Sequence, residues 1–226
     1  MLVKHWMKQP AVTIDEKEAM DQAVKRLKQH DIRMLPVLGK GKLVGVVTDR
    51  DLKRASASDA TTLEIHELLY LISTIRVYEI MTRPVITVPE NFTIEETAQV
   101  LLENKISGVP VVDAEDRVVG TITASEIFKV IISLTGVGKR GIQFAMELED
   151  RPGAIKEVAD RIRTHGGRLV SILSTYDRAP EGYRNVYIRI YGLDRGQLEA
   201  IQAEIGAVAR LRYMVDHREN RREIYF

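Results

Sequence analysis

The chain has 226 residues, 45% of them hydrophobic, with 33 basic side chains against 32 acidic ones. That length and apolar content suit one large or two modest globular domains, and the near-neutral balance gives no broad electrostatic footprint for nucleic acid. No cysteine is present, which excludes disulfides, thiolate chemistry and Cys-ligated metals.

In chain order, AVTI after Pro10 reads as a short extended segment. Met20, Ala23, Val24 and Leu27 then recur at helical spacing. RMLPVL is an apolar strand, GKGK a turn, and LVGVVT a second strand that runs into a helix. Thr48 is a natural N-cap for that helix, and Asp51, three residues on, completes a capping box. The stretch from Ala55 to Val77 opens on Ser, Asp and Thr and continues as an apolar-rich helix over Leu63–Ile72, longer than a minimal connector. His66 within it has no second ligand at metal spacing and reads as a surface or interface histidine. The same grammar follows again: VITV, a helix carrying Ile94, Ala98, Leu101 and Leu102, GVPVVD, the turn DAED, and VVGTIT leading into a helix behind Thr123 and Glu126. Glu95 and Glu96 in the first turn of the earlier helix suit its dipole.

The echo is ordered. A shift that sets Val3 on Val77 also sets Met7 on Met81, Pro10 on Pro84, Thr13 on Thr87, Leu27 on Leu101, Ile32 on Ile106 and Pro36 on Pro110. After a one-residue slip in the turn, Val44, Gly45 and Thr48 fall on Val119, Gly120 and Thr123. Such self-similarity marks a duplicated unit whose halves pack on each other.

The carriers of this repeat are the Met7/Met81 openings, the runs Ile32–Val37 and Ile106–Val111, and the phrases Gly45–Asp51 and Gly120–Glu126. Together they resemble a pair of CBS domains, a Bateman module, over roughly residues 1–134. The resemblance implies an adenosine-ligand sensor in which the acid of each phrase accepts from ribose hydroxyls and the threonine lies near ribose or phosphate. On that reading Thr48, Arg50, Asp51, Arg33, Thr123 and Glu126 hold the polar part of the ligand, and Val12, Ile14, Met34 and Pro36 wall its purine. A helix N-terminus also presents free N–H groups to phosphate. The second phrase has the longer Glu126 and Ala124–Ser125 in place of Asp49–Arg50. The first phrase is therefore expected to make the better site. A capping role alone for Asp51 and Glu126 remains the plain alternative.

GVGKRG, Gly136–Gly141, has the spacing G-x-G-x-x-G but stands between a helix and a strand. A dinucleotide fingerprint needs the reverse order, so the segment reads as a linker. Beyond it come strand IQFAMELE, loop DRPG, helix AIKEVADRIRTH, strands RLVSILSTY and YRNVYIRIY, helix QLEAIQAEIG and strand ARLRYMV. That is the ferredoxin-like order βαββαβ. With Asp150–Ala154 leading into the first helix and Gly166–Gly167 ending it, residues 141–216 resemble an ACT domain. The resemblance implies a small effector, such as an amino acid, at Asp150, Pro152, Gly153 and Ala154. Arg168 stands where many such domains carry Asn. The loop has a structural reading too, since Pro152 suits a helix start and Gly153 is permissive. The tail HRENRREIYF reads as a charged, solvated arm, with docking of Tyr225 and Phe226 on a partner as the sharper alternative.

The fold class expected is α+β: CBS repeats at 1–54 and 77–134 in a pseudo-two-fold module, a helical connector at 55–76, a linker at 135–140, an ACT domain at 141–216 and a tail at 217–226. A CBS pair followed by an ACT domain resembles acetoin utilisation protein B-type regulatory proteins. The function this implies is regulatory ligand sensing without catalysis and with no required cofactor. The ligand would be AMP, ADP or ATP, with S-adenosylmethionine or NAD as further adenosine ligands. The partners would be a second copy or more of the chain and an unidentified protein target, with neither nucleic acid nor membrane. An oligomerisation adaptor with vestigial sites is the alternative, and an enzyme a remote one. MLVKHWMKQP lacks a signal-peptide run, and FKVIISL is too short to span a bilayer. The expected location is the cytoplasm.

Overall fold

A computed structural model of the protein describes residues 1–58 and 73–225. The connector helix expected over Leu63–Ile72, His66 included, lies outside those residues, as does Phe226. The chain divides into two compact units, Met1–Phe128 and Lys129–Phe226.

The first unit contains the duplicated grammar. Its first copy runs β1 (Ile14–Asp15), α1 (Met20–Gln29), β2 (Met34–Gly39), β3 (Lys42–Thr48) and α2 (Asp49–Ser58). Its second runs α3 (Val77–Ile80), β4 (Val88–Pro89), α4 (Ile94–Glu103), β5 (Gly108–Val112), β6 (Val118–Thr123) and α5 (Ala124–Thr135), the last continuing into the second unit. Each copy makes a three-stranded sheet with one parallel and one antiparallel pair, in the orders β1-β2-β3 and β4-β5-β6. Ile14, Met20, Ala23, Leu27, Leu35, Val37, Val47 and Leu52 form one buried cluster in the first copy. The helical stripe therefore closes onto the sheet, and removal of that apolar area from water drives the packing. In α4, Glu96 does more than face the dipole. Its carboxylate accepts from Thr93 N at 2.7 Å while Thr93 Oγ1 accepts from Glu96 N at 3.2 Å. Thr93→Ala is expected to lower stability by about 1 kcal/mol in a urea melt, with the burial pattern unchanged.

The copies exchange their leading segments. Lys8 pairs with Thr121 of β6 through N–H···O bonds of 2.9 and 3.0 Å, and Thr82 pairs with Val46 of β3 through bonds of 2.8 and 3.2 Å. Leu2 bridges Thr93, and Ala19 bridges Arg76. The methionine just before each exchanged residue lies over the glycine of the other copy's phrase. A Cβ added at Gly120 would stand 2.6 Å from Met7 Sδ and 2.8 Å from the Lys8 carbonyl oxygen, and one at Gly45 would overlap Met81 Sδ. Met7 and Met81 are both buried. The repeated Met and the repeated Gly are thus two sides of one contact made twice.

The second unit is a βαββαβ layer: β7 (Ile142–Glu149), α6 (Ala154–Thr164), β8 (Arg168–Thr175), β9 (Tyr183–Tyr191), α7 (Leu198–Gly206) and β10 (Arg210–Asp216). All neighbouring strands are antiparallel, in the order β11-β10-β7-β9-β8, with β11 formed by Arg221–Ile224. Ile142, Phe144, Met146 and Leu148 alternate onto the helix-covered face and join Val158, Ile162, Ile201 and Ile205 in one core. GVGKRG joins α5 to β7 through a single 3-10 turn at Val137–Lys139, the helix-to-strand order that excludes a dinucleotide fingerprint.

The tail corrects the sequence reading. It is not a solvated arm: Arg221–Ile224 forms β11 and pairs antiparallel with β10 from Tyr213↔Ile224 to Asp216↔Arg221. Tyr225 is held within the chain. Its hydroxyl donates to Glu223 at 2.9 Å and accepts from Gln202 Nε2 at 2.7 Å, and burial followed by the Glu223 carboxylate pushes its pKa up to about 12.

Candidate functional site

Three local rules build the corner at Gly45–Asp51. β3 ends at Thr48, beside Met34 at the start of β2. The Arg33 carbonyl accepts from Asp49 N at 3.1 Å, which anchors the first turn of α2. Asp51 then turns back: its Oδ2 accepts from Thr48 N at 3.0 Å and from Thr48 Oγ1 at 2.6 Å, while Thr48 Oγ1 accepts from Asp51 N at 3.3 Å. The capping box foreseen in the sequence is therefore present. The other carboxylate oxygen, Oδ1, accepts from Arg54 Nη2 at 3.2 Å. Asp51 is only 7% exposed, whereas the Arg54 side chain is 75% exposed.

The second corner repeats this design with a longer acid. Glu126 Oε2 accepts from Thr123 N at 3.2 Å and from Thr123 Oγ1. The Ser107 carbonyl accepts from Ala124 N at 2.9 Å, in the role Arg33 has in the first corner. The extra methylene leaves the cap intact, and Thr123 Oγ1 accepts from Ser125 N at 3.3 Å. Glu126 is 4% exposed.

Of the residues singled out in the sequence, Arg33, Met34, Thr48, Arg50 and Asp51 gather at this end of the first sheet, with Arg33 and Arg50 exposed. Pro36 lies farther along β2, opposite Val46. Val12 is half-buried against the first-copy core. Ile14 departs from its assignment as a purine wall. It is 1% exposed, pairs with Val37 and packs within the core, so its role in this structure is structural. Thr123 and Glu126 stand at the other copy's corner, away from this cluster in sequence and sheet. Arg54 was missed, although its i,i+3 spacing from Asp51 on a helix was the available signal.

In the second unit, Asp150 Oδ1 accepts from Arg184 Nε at 2.9 Å, from Arg184 Nη2 and from Tyr176 OH at 3.4 Å. Its hydrogen bond raises the Arg184 pKa. Pro152 is not the first helical residue: it lies in the turn before the helix, and Gly153 is the N-cap with φ +87°. That left-handed conformation is what makes glycine necessary there. Ala154 opens α6 and is buried. No group of three or more His, Cys, Asp or Glu is placed to hold a metal ion among the described residues, and no described helix is long and apolar enough to cross a membrane.

The CBS-domain model matches residues 3–58 and 77–133, together half of the sequence. The chain belongs to the CBS-domain family. The two matched segments are the two copies, so the protein carries a CBS pair, whose first segment reaches four residues beyond the boundary expected at 54. A CBS domain-containing protein of Dictyostelium discoideum is 30% identical over 135 residues, spanning 59% of this chain and 93% of its own. L-aspartate semialdehyde sulfurtransferase of Methanocaldococcus jannaschii is 36% identical over 130 residues, but that match spans 57% of this chain and only 23% of the enzyme. Among solved structures, the CBS domain pair of protein MJ0100 in complex with 5′-methylthioadenosine and S-adenosyl-L-methionine is 34% identical, with a TM-score of 0.50, and covers 58% of this chain and 99% of that one. All three matches cover less than two thirds of this chain.

Proposed function

We propose that this protein is a regulatory sensor that binds an adenosine ligand (AMP, ADP or ATP, with S-adenosylmethionine or NAD as further members of the class) at the first-copy corner of its CBS pair. The observation that carries this reading is the Thr48–Asp51–Arg54 corner. One buried carboxylate sits at a helix N-terminus, with one oxygen engaged by the cap and the other accepting from the exposed Arg54. A vicinal ribose diol can take the place of Arg54 at Oδ1, and the released guanidinium, with Arg33 and Arg50 nearby, is then available to phosphate. The CBS pair of MJ0100, solved with two adenosine compounds, supports the ligand class. The sulfurtransferase likeness covers only 23% of that enzyme and supports no activity here. We read the chain as non-catalytic and cytoplasmic, acting on an unidentified protein target, with an ACT-type effector module over 141–216 that receives an amino acid or similar effector near Asp150–Ala154. This arrangement resembles that of acetoin utilisation protein B-type proteins.

Thermal shift against AMP, ADP, ATP, S-adenosylmethionine, NAD and the amino acids tests this reading. A ligand at about ten times its Kd is expected to add about 1.4 kcal/mol to the unit that binds it, a rise of a few degrees in Tm. No shift with any adenosine compound, confirmed by calorimetry, would defeat it.

A second reading, an oligomerisation adaptor, draws on the apolar residues of α5 within the second unit, where Ile132 is 55% exposed and Ile131 and Leu134 are exposed too. Contiguous exposed apolar surface of this kind marks association. Light scattering at micromolar concentration is expected to give at least twice the chain mass of 25.6 kDa; a monomer would remove this reading.

A further inference from the structure

The sheet of the second unit has one face covered by helices and one that is not assigned any role. On this second face, Gln143 and Ala145 of β7 lie in register with Arg189 and Tyr187 of β9 and with Val215 and Tyr213 of β10. His217 follows on the same side, two residues after Val215, its N–H donating to the Gly141 carbonyl at 3.1 Å. Three buried side-chain polar atoms lack a hydrogen-bond partner among the described residues: Arg161 Nε, Arg189 Nη1 and His217 Nε2. Two of the three are on this face.

Arg189 is 5% exposed. Its Nε donates to the Thr135 carbonyl at 2.7 Å and its Nη2 to Gln143 Oε1 at 2.5 Å, so the guanidinium is fixed in place with Nη1 left over. Both of its anchors are neutral, and burial lowers its pKa. A buried charge without a counter-charge, and a buried donor without an acceptor, are both costly and call for a reason. His217 feels the same excess of positive charge. Burial first, then Arg189 and Arg222, hold its pKa down, against a smaller opposing effect of Asp216. The Asp216 carboxylate is itself engaged by Arg195, at 3.0 and 3.1 Å.

A groove of about 630 Å³ runs along this face, lined by Gln143, Ala145, Tyr187, Tyr213, Val215 and His217 among others. Ala145, 1% exposed, lies in register between Tyr187 and Tyr213, which are half-buried and line the groove. Arg178 and Arg222 also line it. Its acids are Asp177 and Glu223, and Glu223 is already engaged by Gln202, Tyr225 and Arg221.

We propose that this groove binds a small planar organic anion whose carboxylate or phosphate oxygens accept from His217 Nε2, with Arg222 lining the groove beside it, while its flat apolar body lies against Tyr187 and Tyr213. This site is separate from the CBS corner and from Asp150–Ala154, and it stands whether or not either of those binds a ligand. An oxyanion supplies the acceptor that His217 Nε2 lacks and offsets the positive charge that Arg189 and Arg222 place around that ring.

The test is NMR of the histidine rings in the full chain, with phenyl phosphate and benzoate as probes and benzyl alcohol as the neutral control. His217→Phe assigns the resonance by its disappearance. Either anion at millimolar concentration is expected to shift the His217 ring signals and to raise its pKa, because a bound anion favours the imidazolium. Benzyl alcohol should leave them in place. Arg222→Met is expected to weaken the anion about ten-fold without changing adenosine-ligand affinity. Arg222 is exposed, so the variant is expected to fold, and Arg222→Lys, which keeps the charge, should bind more tightly than the Met variant. Unmoved His217 signals with both anions, an equal response to benzyl alcohol, or wild-type affinity in the arginine variant would each overturn the proposal.

Discussion

Asp51→Ala is expected to weaken adenosine-ligand binding about ten- to a hundred-fold, the loss of about 1.5–3 kcal/mol that follows removal of a charged hydrogen-bond acceptor. The same substitution also removes the cap of α2, because Asp51 Oδ2 accepts from both Thr48 N and Thr48 Oγ1. Unligated stability should therefore fall as well, by about 0.5–2 kcal/mol. The two losses are separable. Calorimetric titration of the folded protein reads the ligand term, and the unligated melting curve reads the cap. Glu126→Ala is expected to show a comparable cap loss, since Glu126 makes the equivalent contacts with Thr123, but a smaller loss of affinity, since Ala124 and Ser125 stand where the first corner has Asp49 and Arg50. Asp51→Asn is the finer probe: it keeps an oxygen for the cap and removes the charge. Wild-type affinity in Asp51→Ala would reduce the acid to its capping role. A larger loss in Glu126→Ala would move the ligand to the second corner.

This dual use explains why the corner was legible as a place and ambiguous as a function. Thr-x-x-acid is sufficient to predict the cap, and the hydrogen bonds follow it in both copies. What sequence spacing could not carry is which oxygen the cap consumes, and so that Oδ1 is left to Arg54. Ile14 shows a related limit. Extended residues after a proline were read as a wall, but the strand is only two residues long and its pairing with Val37 turns Ile14 into the core. The βαββαβ order was readable almost to the residue, with Ile142–Glu149 and Tyr183–Tyr191 both at their expected limits, because large apolar residues recur at every second position in each, at Ile142, Phe144, Met146 and Leu148 and at Val186, Ile188 and Ile190. The same alternation displayed Tyr187 and Arg189 on the other face. It said nothing of whether that face is covered, and the burial of Arg189 arises from its tethering by Thr135 and Gln143, one of them 54 residues away in sequence. β11 was lost in charge. RREI reads as solvated tail, yet arginines on the last strand of a sheet are a usual means of protecting an open edge.

Gly45→Ala is expected to destabilise the first unit by about 1–3 kcal/mol, the range for forcing extra volume into a packed site. The added methyl group would meet Met81, whose side chain comes from the other copy across the Val46–Thr82 bridge. Gly120→Ala should cost at least as much, because its methyl group would meet the Lys8 carbonyl oxygen at 2.8 Å as well as Met7 Sδ at 2.6 Å. The two sites differ in how they can be relieved. At Gly45 the nearest obstruction is entirely side chain, so Gly45→Ala combined with Met81→Ala should cost less than the two substitutions taken separately. At Gly120 the carbonyl belongs to the backbone and is fixed by its own pairing with Thr121, so Met7→Ala should relieve little. Trp6, the one tryptophan in the chain, lies in the exchanged segment beside Met7. Its fluorescence in urea follows the first unit without contribution from the second, which matters because a two-unit chain need not unfold in one step. Strict additivity at the Gly45–Met81 pair would mean that the methionine and the glycine do not constrain each other. Coupling there, with little at Met7–Gly120, would establish that Gly45 is kept by the Met81 side chain and Gly120 by the Lys8 backbone.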